Sequence, residues 1–257
     1  MKFGVGQPVP RIEDSRLITG QGRYTDDIEP GTGLGVAFLR SPLAHALLLS
    51  VDTSAAAAMD GVLLVATQAD LDADKVGEIQ CQHRLTNEDG EKMTMVSHPP
   101  MVRDVNRTAG DIVAVVIAET DSIAQDAVEQ IDARYDNMPA VTDVYAAIEA
   151  GAPQLYDEYP RNIAFNWVEG DHVSTNAAIA GAEAAGMELF DIDVVNNRVI
   201  INSMETRPMI AGPGEEEGSL DIWCGTQGPV GVAEQIADAL GMARDLVRVR
   251  TGDVGGS

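Results

Sequence analysis

The sequence predicts an α/β fold, mixed α+β in its detail, arranged in two domains. Short stretches with the apolar alternation of strands are separated by stretches with helical periodicity. Residues 220–251 are read as a strand, a helix and a second strand. A glycine and two prolines mark residues 145–160 as a linker. We therefore expect one domain over residues 1–145 and another over residues 146–257.

The first domain is predicted to contain four strands and two main helices. A continuous apolar run is typical of a buried strand, so residues 110–118 are expected to lie inside the domain. An alanine-rich helix begins at Asp52 or Thr53, because both residue types cap helices. Another helix begins at Thr120 or Asp121 for the same reason. The predicted strands cover residues 36–40, 47–51, 62–67 and 110–118.

The second domain is predicted to begin with an alanine-rich helix that ends near Ala185. Residues 187–202 then have the alternation and central turn of a β-hairpin. In the strand–helix–strand that follows, Pro229 suits the first turn of the helix, where its missing N–H costs nothing. Gly241 stands where a left-handed C-cap would end that helix.

The sequence stops inside the glycine-rich loop Gly252-Asp-Val-Gly-Gly-Ser257. Loops of this type present backbone N–H groups to oxygen atoms and phosphates. A stable domain seldom ends in the middle of such a loop. We therefore expect the sequence to belong to a longer chain, or to be a natural truncation of one.

The chain is strongly acidic, which limits its partners. It has 17 Lys and Arg against 41 Asp and Glu, a formal net charge of -24. This excess of negative charge argues against binding to nucleic acids and anionic membranes, because such binding depends on cationic side chains. The charge is explained by solubility or by a patch for a basic partner. No signal peptide and no apolar run long enough for a membrane span is recognised, and two cysteines without a disulfide framework favour the reducing cytoplasm.

Most catalytic and metal-binding patterns are absent or weak. No nucleophile elbow, P-loop or complete dinucleotide fingerprint is found. Cys81, His83 and His98 form a possible metal set, but the spacing is unusual for zinc and a fourth ligand is not evident. We expect His45 to be structural and Cys224 to face the core rather than to act as a nucleophile.

Several motifs follow one another along the chain: Gly20–Asp27, Arg40–Ala46, residues 52–71, Tyr135–Val141, Asn162–Phe165, Met204–Pro208, Thr226–Pro229 and Asp253–Ser257. In this order they resemble a known family, the molybdenum hydroxylase large subunit of xanthine dehydrogenase, aldehyde oxidase and aerobic carbon monoxide dehydrogenase. The chain departs from the family pattern at Ile112 and Thr206, where proline is usual, and at Pro208, where glycine or alanine is usual.

The resemblance implies an α/β hammerhead domain followed by the first, incomplete part of a molybdopterin-binding domain. It also implies that Gln227 lies beside the molybdenum, and that Gln227, Gly255, Gly256 and Ser257 contact the cofactor, with no direct metal ligand. A neutral amide can hydrogen-bond an oxygen ligand of a metal without adding charge. Glu205 and Arg207 are open to a structural and a catalytic interpretation, and we favour an ion pair that orders the domain over a direct catalytic role.

The implied activity is hydroxylation of an aldehyde, an N-heterocycle or carbon monoxide, with water as the source of oxygen. The implied cofactor is molybdenum with molybdopterin, as the cytosine dinucleotide. Iron–sulfur clusters and FAD would be carried by partner subunits or domains, and a homo-oligomer is expected. The family's general-base glutamate would lie beyond Ser257, so we expect the 257 residues alone to be inactive.

Two other classes of function remain open from the sequence. One is a truncated, non-catalytic relative that acts as a binding or assembly protein. The other is an unrelated acidic α/β domain that binds a small ligand, in which case the motifs are coincidental.

Overall fold

A computed structural model describes residues 6, 8–28, 33–196, 199 and 201–256 of the chain. The strands of this described part are β1 Gly35–Arg40, β2 Ala46–Asp52, β3 Val62–Thr67, β4 Val105–Asn106, β5 Ile112–Ala118, β6 Asp132–Asn137, β7 Met209–Pro213, β8 Leu220–Cys224 and β9 Val247–Arg250. The helices are α1 Asp14–Leu17, α2 Ser54–Ala57, α3 Gln68–Ala73, α4 Asp121–Val128, α5 Val144–Ala147, α6 His172–Ala184 and α7 Pro229–Leu240. Single 3₁₀ turns lie at Thr25–Asp27, Pro160–Asn162 and Arg244–Leu246.

The first six strands form two antiparallel sheets. In one sheet β5 lies between β1 and β3, which is the central place that its apolar run predicts. In the other, β2 lies between β4 and β6. β1 shows the alternation expected of an antiparallel strand with one covered face, because Gly35 and Ala37 are buried whereas Val36 and Phe38 are exposed.

The first core lies between the β1–β5–β3 sheet and the helices α2 and α4. Alanine supplies most of it, and its small side chain lets the helices approach the sheet closely. Thr120 caps α4 by accepting the N–H of Ile123. The buried core residues are Ala37, Ala56, Ala114, Val116, Ala118, Ala124, Ala127 and Ile131.

The third sheet contains one antiparallel and one parallel pair. β8 pairs with β7 in antiparallel and with β9 in parallel orientation. Parallel neighbours require a crossover connection, and α7 provides it. The helix ends at Gly241, which has φ 62°, a left-handed conformation that glycine adopts without strain. The buried residues between this sheet and α7 are Ile222, Cys224, Ala233, Ala237 and Val247.

Several sequence predictions are confirmed. The strand–helix–strand of residues 220–251 is present as β8, α7 and β9, and the alanine-rich helix ends at Ala184. The mixed α/β fold class is also observed, because strands and helices occur both before residue 145 and in the strand–helix–strand. None of the helices in the described residues is long and apolar enough to span a membrane.

The hairpin predicted over residues 187–202 is wrong for the residues that the structure describes. Residues 187–196, 199, 201 and 202 form no strand, while residues 197, 198 and 200 lie outside the described part. Phe190, Ile192 and Val194, whose alternation carried the prediction, are 76–79% exposed. A two-stranded hairpin is marginal unless a third element buries one face, and no element among the described residues covers these side chains.

Three strands were not predicted. β4, β6 and β7 each lie at the edge of a sheet, where one neighbour decides the conformation more than the strand's own pattern does. β6 consists largely of polar residues and contains only one alanine and one tyrosine among them. The predicted linker also contains the end of α5.

Candidate functional site

The glycine loop, residues 252–256, follows β9 without regular secondary structure. Two hydrogen bonds tie it to the start of the chain. The Asp253 N–H donates to the Arg23 carbonyl at 2.9 Å, and the Arg23 N–H donates to the Asp253 carboxylate at 2.7 Å. The loop is therefore held by a segment about 230 residues away in sequence.

Arg16 adds a charged contact to the same carboxylate. Its guanidinium meets both Asp253 oxygens, which is the bidentate geometry that favours an arginine–carboxylate pair. Arg16, followed by the Arg23 N–H, lowers the pKa of Asp253 to about 2. Asp253 therefore keeps its charge over the physiological pH range, and Arg16 offsets that charge.

Glu205 holds the far end of the loop. Its carboxylate accepts the Gly255 N–H at 2.6 Å and the Thr25 N–H at 3.3 Å. Its own N–H donates to the Gly255 carbonyl at 3.3 Å. One side chain thus joins the glycine loop to the buried Thr25 near the start of the chain.

The glycines of the loop are needed for space. A Cβ on Gly255 would lie 2.5 Å from the Glu205 Cβ, and one on Gly256 would overlap the side chain of Ser203. Gly225, after β8, has the Glu205 carboxylate 3.0 Å from its Cβ position. The glycines described in residues 252–256 do not have positive φ, so their close neighbours, rather than a left-handed backbone, exclude larger residues.

Gln227 lies in the turn between β8 and α7, and it is exposed. The residue before it, Thr226, donates its N–H to the Thr251 hydroxyl at 3.4 Å and accepts the Gly228 N–H at 3.1 Å. No hydrogen bond to the Gln227 carboxamide is found within the described part of the chain. The turn is therefore fixed at its base beside β9.

The Gln227 turn and the glycine loop approach each other at Glu205. Gly225, two residues before Gln227, lies beside the same Glu205 carboxylate that accepts the Gly255 N–H. Gly256 lies next along the loop, and Ser257 lies outside the described residues.

The prediction of an ion pair between Glu205 and Arg207 is wrong. The two form no salt bridge in the described structure, because Glu205 instead accepts backbone N–H groups from Thr25 and Gly255. Sequence reasoning also missed Arg16 and Arg23. Their partner lies more than 200 residues away, and no local pattern carries that information.

The other candidate residues do not assemble into a site. No group of three or more side chains able to hold a metal occurs in the residues described, and the Cys81 thiol lies 3.3 Å from the His83 carbonyl. His45 is buried with Nδ1 2.8 Å from the Pro139 carbonyl, a structural contact. Cys224 is buried as predicted, and burial raises the pKa of its thiol.

This arrangement fits an oxygen-rich, negatively charged cofactor such as a molybdopterin. The exposed Gln227 carboxamide offers a neutral donor, and Arg16 offsets the negative charge of Asp253. The glycines at 225, 255 and 256 let the turn and the loop lie against Glu205 and Ser203 without steric overlap. The Gly255 N–H is already donated to Glu205, so this group serves the loop rather than an outside ligand.

Two family models match the chain. One, described as the aldehyde oxidase and xanthine dehydrogenase a/b hammerhead domain, matches residues 19–139. The other, described as the molybdopterin cofactor-binding domain, matches residues 155–257. The first match covers the two antiparallel sheets, and the second covers the third sheet.

Individual proteins agree with these matches. The chain is 35% identical to the nicotine 6-hydroxylase large subunit of Paenarthrobacter nicotinovorans, over 98% of this chain and 29% of that protein. It is 29% identical to the carbon monoxide dehydrogenase large chain of Afipia carboxidovorans, over 98% of this chain and 31% of that one. The crystal structure of quinoline 2-oxidoreductase from Pseudomonas putida 86 superposes with a TM-score of 0.71 at 31% identity, covering all of this chain and 31% of that chain. The chain thus spans somewhat less than a third of the length of these relatives.

Proposed function

Because this chain belongs to the molybdenum hydroxylase large-subunit family, we propose that it is the N-terminal part of such a subunit and forms one wall of its molybdopterin site. The hammerhead domain would cover residues 1–145, and the incomplete cofactor-binding domain residues 146–257. The observation that carries the proposal is the meeting of the Gln227 turn and the glycine loop at Glu205.

Each residue has a separate part in holding the cofactor. Gln227 would donate its amide to an oxygen atom beside the metal, which makes it the catalytic contact of this chain. Gly256 and Ser257 would present backbone groups to the cofactor, while Gly255 lets the loop lie against Glu205. When bound, the molybdenum and its pterin supply the redox centre at which a substrate is hydroxylated with oxygen from water.

The cytosine dinucleotide form of the cofactor is part of the proposal. The similarity to the carbon monoxide dehydrogenase large chain and to the nicotine 6-hydroxylase large subunit of a bacterium supports it.

We propose that the natural protein oxidises an aldehyde, an N-heterocycle or carbon monoxide. The names of the relatives support this range, since they include a nicotine hydroxylase, a carbon monoxide dehydrogenase and a quinoline oxidoreductase. The isolated 257 residues would not turn over, because they span less than a third of those relatives.

The relatives are subunits of complexes, as their names state. We propose partner subunits or domains that carry iron–sulfur clusters and FAD, contacts with the remaining C-terminal part of the large subunit, and a homo-oligomer. Free thiols at the exposed Cys81 and the buried Cys224 support a reducing, cytoplasmic location.

The test is a dye-linked oxidation assay of the natural protein purified with its partner subunits. We expect reduction of the dye with a member of one substrate class, and none with the isolated 257-residue chain. Turnover by the isolated chain would contradict the assignment of the active site to the whole subunit. A natural protein that holds no cofactor and oxidises none of the three classes would instead be a binding or assembly protein.

A further inference from the structure

The glycine loop has no regular structure of its own, so other segments must set its position. From residue 252 to residue 256, the described backbone bonds are made to Arg23 at one end and to Glu205 at the other. Glu205 is itself bonded to the N–H of Thr25. Both ends of the loop are therefore linked, directly or through Glu205, to residues near the start of the chain. We call residues 11–28 the N-terminal segment.

The two anchoring side chains are carboxylates, which raises an electrostatic problem for any anionic ligand of the loop. Like charges at close range repel strongly when they are partly shielded from water. Asp253 has only 14% of its side chain exposed, and the bidentate contact with Arg16 offsets its charge. Glu205 spreads its charge over the backbone N–H groups of Thr25 and Gly255.

We propose that Asp253 is a positioning residue for the cofactor loop, and that Arg16 is its required counter-charge. Asp253 fixes the loop by accepting the Arg23 N–H, and Arg16 makes that carboxylate compatible with an anionic cofactor. This inference rests on the proposed function, because the cofactor is the ligand that the loop would hold.

Arg16 lies outside both ranges that the family models match, because it precedes residue 19. Nevertheless its guanidinium contacts the loop that ends the second matched range. The N-terminal segment would therefore be part of the cofactor site although it comes before the hammerhead match.

The experiment uses the natural protein complex with substitutions at Asp253. Asp253→Ala removes both the acceptor for the Arg23 N–H and the partner of Arg16. Asp253→Asn keeps an oxygen that can accept the Arg23 N–H. The matched control is Arg11→Ala, which breaks an exposed arginine–aspartate pair with Asp14 in the same segment.

Two readouts are taken from each variant: hydrogen exchange of the peptide covering residues 251–256, and the molybdenum and pterin content per chain. We expect Asp253→Ala to exchange about tenfold faster in this peptide, as is typical when a hydrogen-bond acceptor is removed and its donor is left unsatisfied, and to lose most of its cofactor. Asp253→Asn and Arg11→Ala should behave like the unsubstituted protein. Unchanged exchange in Asp253→Ala, or equal damage in Asp253→Asn, would overturn the proposal.

A second pair of variants tests the counter-charge. Arg16→Ala leaves the Asp253 carboxylate unpaired, so we expect cofactor content to fall. The double variant Arg16→Ala, Asp253→Asn removes the unpaired charge and should recover cofactor. Failure of the double variant to recover would overturn the role given to Arg16.

The two proposals fail in different ways. An unsubstituted complex without molybdenum or pterin would overturn the proposed function, whereas the exchange of residues 251–256 would still report whether Asp253 positions the loop. A loaded complex whose Asp253→Ala variant keeps its cofactor and its exchange rate would overturn only the positioning role.

Discussion

Glu205 and Gly255 are hydrogen-bonded in both directions across 50 residues of chain. The Gly255 N–H donates to the Glu205 carboxylate at 2.6 Å, and the Glu205 N–H donates to the Gly255 carbonyl at 3.3 Å. A side chain at position 255 would occupy the space in which this pair meets. The conformation of the glycine loop therefore depends on a residue that precedes the third sheet.

Replacement of Gly255 by alanine should displace the loop. Its Cβ would lie 2.5 Å from the Glu205 Cβ, a distance that real Cβ contacts do not show, so the pair must separate. We expect a loss of about 1–3 kcal/mol in the free energy of unfolding, as for other overpacked sites, together with lower molybdenum content. Chemical denaturation and elemental analysis measure the two effects.

Gly212→Ala is the matched control, because nothing lies within 4 Å of the Cβ position of Gly212 in β7. It should change the free energy of unfolding by less than about 0.5 kcal/mol. An equal loss in both variants would mean that the space around Gly255 is not what requires glycine.

Removal of the Arg16 guanidinium should raise the pKa of Asp253. That pKa is lowered to about 2 from an ordinary value of 3.8, first by Arg16 and then by the Arg23 N–H. A carboxylate with a lowered folded-state pKa stabilises the protein above its unfolded value, and this contribution is lost as pH falls. The contribution of Asp253 is therefore expected to disappear between pH 3.8 and about pH 2.

Carboxyl-carbon NMR titration of Arg16→Gln tests this shift. The pKa of Asp253 should rise toward 3.8, because the larger of its two causes is removed. In Arg11→Gln the pKa of Asp14 should rise instead, since Arg11 is the main cause of its lowering. An Asp253 pKa that does not respond to the loss of Arg16 would refute the assignment of the pair.

The two cysteines should differ in reactivity toward iodoacetamide. Cys81 is exposed, whereas Cys224 is buried between β8 and α7 and burial raises the pKa of its thiol. Since the thiolate is the reactive form, native protein should be alkylated at Cys81 only. Peptide mass spectrometry locates the label, and denatured protein should be labelled at both positions. Rapid labelling of Cys224 in the native protein would show that the core between the third sheet and α7 is accessible to the reagent.

Truncation of Ile222 should weaken the third sheet. Ile222 is 2% exposed and belongs to the core that also contains Ala233 and Ala237 of α7 and Val247 of β9. Ile222→Ala should cost about 2–5 kcal/mol of unfolding free energy, the usual range for such a cavity. Ile192→Ala is the control, because Ile192 is 77% exposed and its truncation removes little contact. Equal costs would contradict the exposure of residues 187–196.

The strand–helix–strand of the second domain was predictable because local chemistry and tertiary structure agree there. Residues 220–224 alternate, Pro229 begins the helix and Gly241 ends it, and each of these signals corresponds to the observed element. The same agreement explains why the apolar run of β5 was predicted as a buried strand.

The remaining elements depend on partners that the local sequence does not identify. β6 consists mostly of polar residues and is a strand because β2 pairs with it. Residues 187–196 have the alternation of a strand but no sheet beside them, and they remain irregular.

The candidate site was predictable only in part, for the same reason. Gln227 and the glycine loop could be selected from their motifs. The bonds of Glu205 to Thr25 and Gly255, and of Asp253 to Arg16, join segments separated by 50 to 237 residues. The Glu205–Arg207 interpretation failed because it considered only neighbours in sequence.

The central claim is that this chain forms part of a molybdopterin site, and the molybdenum and pterin content of the natural protein tests it most directly. We predict that the protein purified from its source contains both in stoichiometric amounts, and that Gly255→Ala lowers both while Gly212→Ala does not. A folded natural protein that contains neither molybdenum nor pterin would contradict the account.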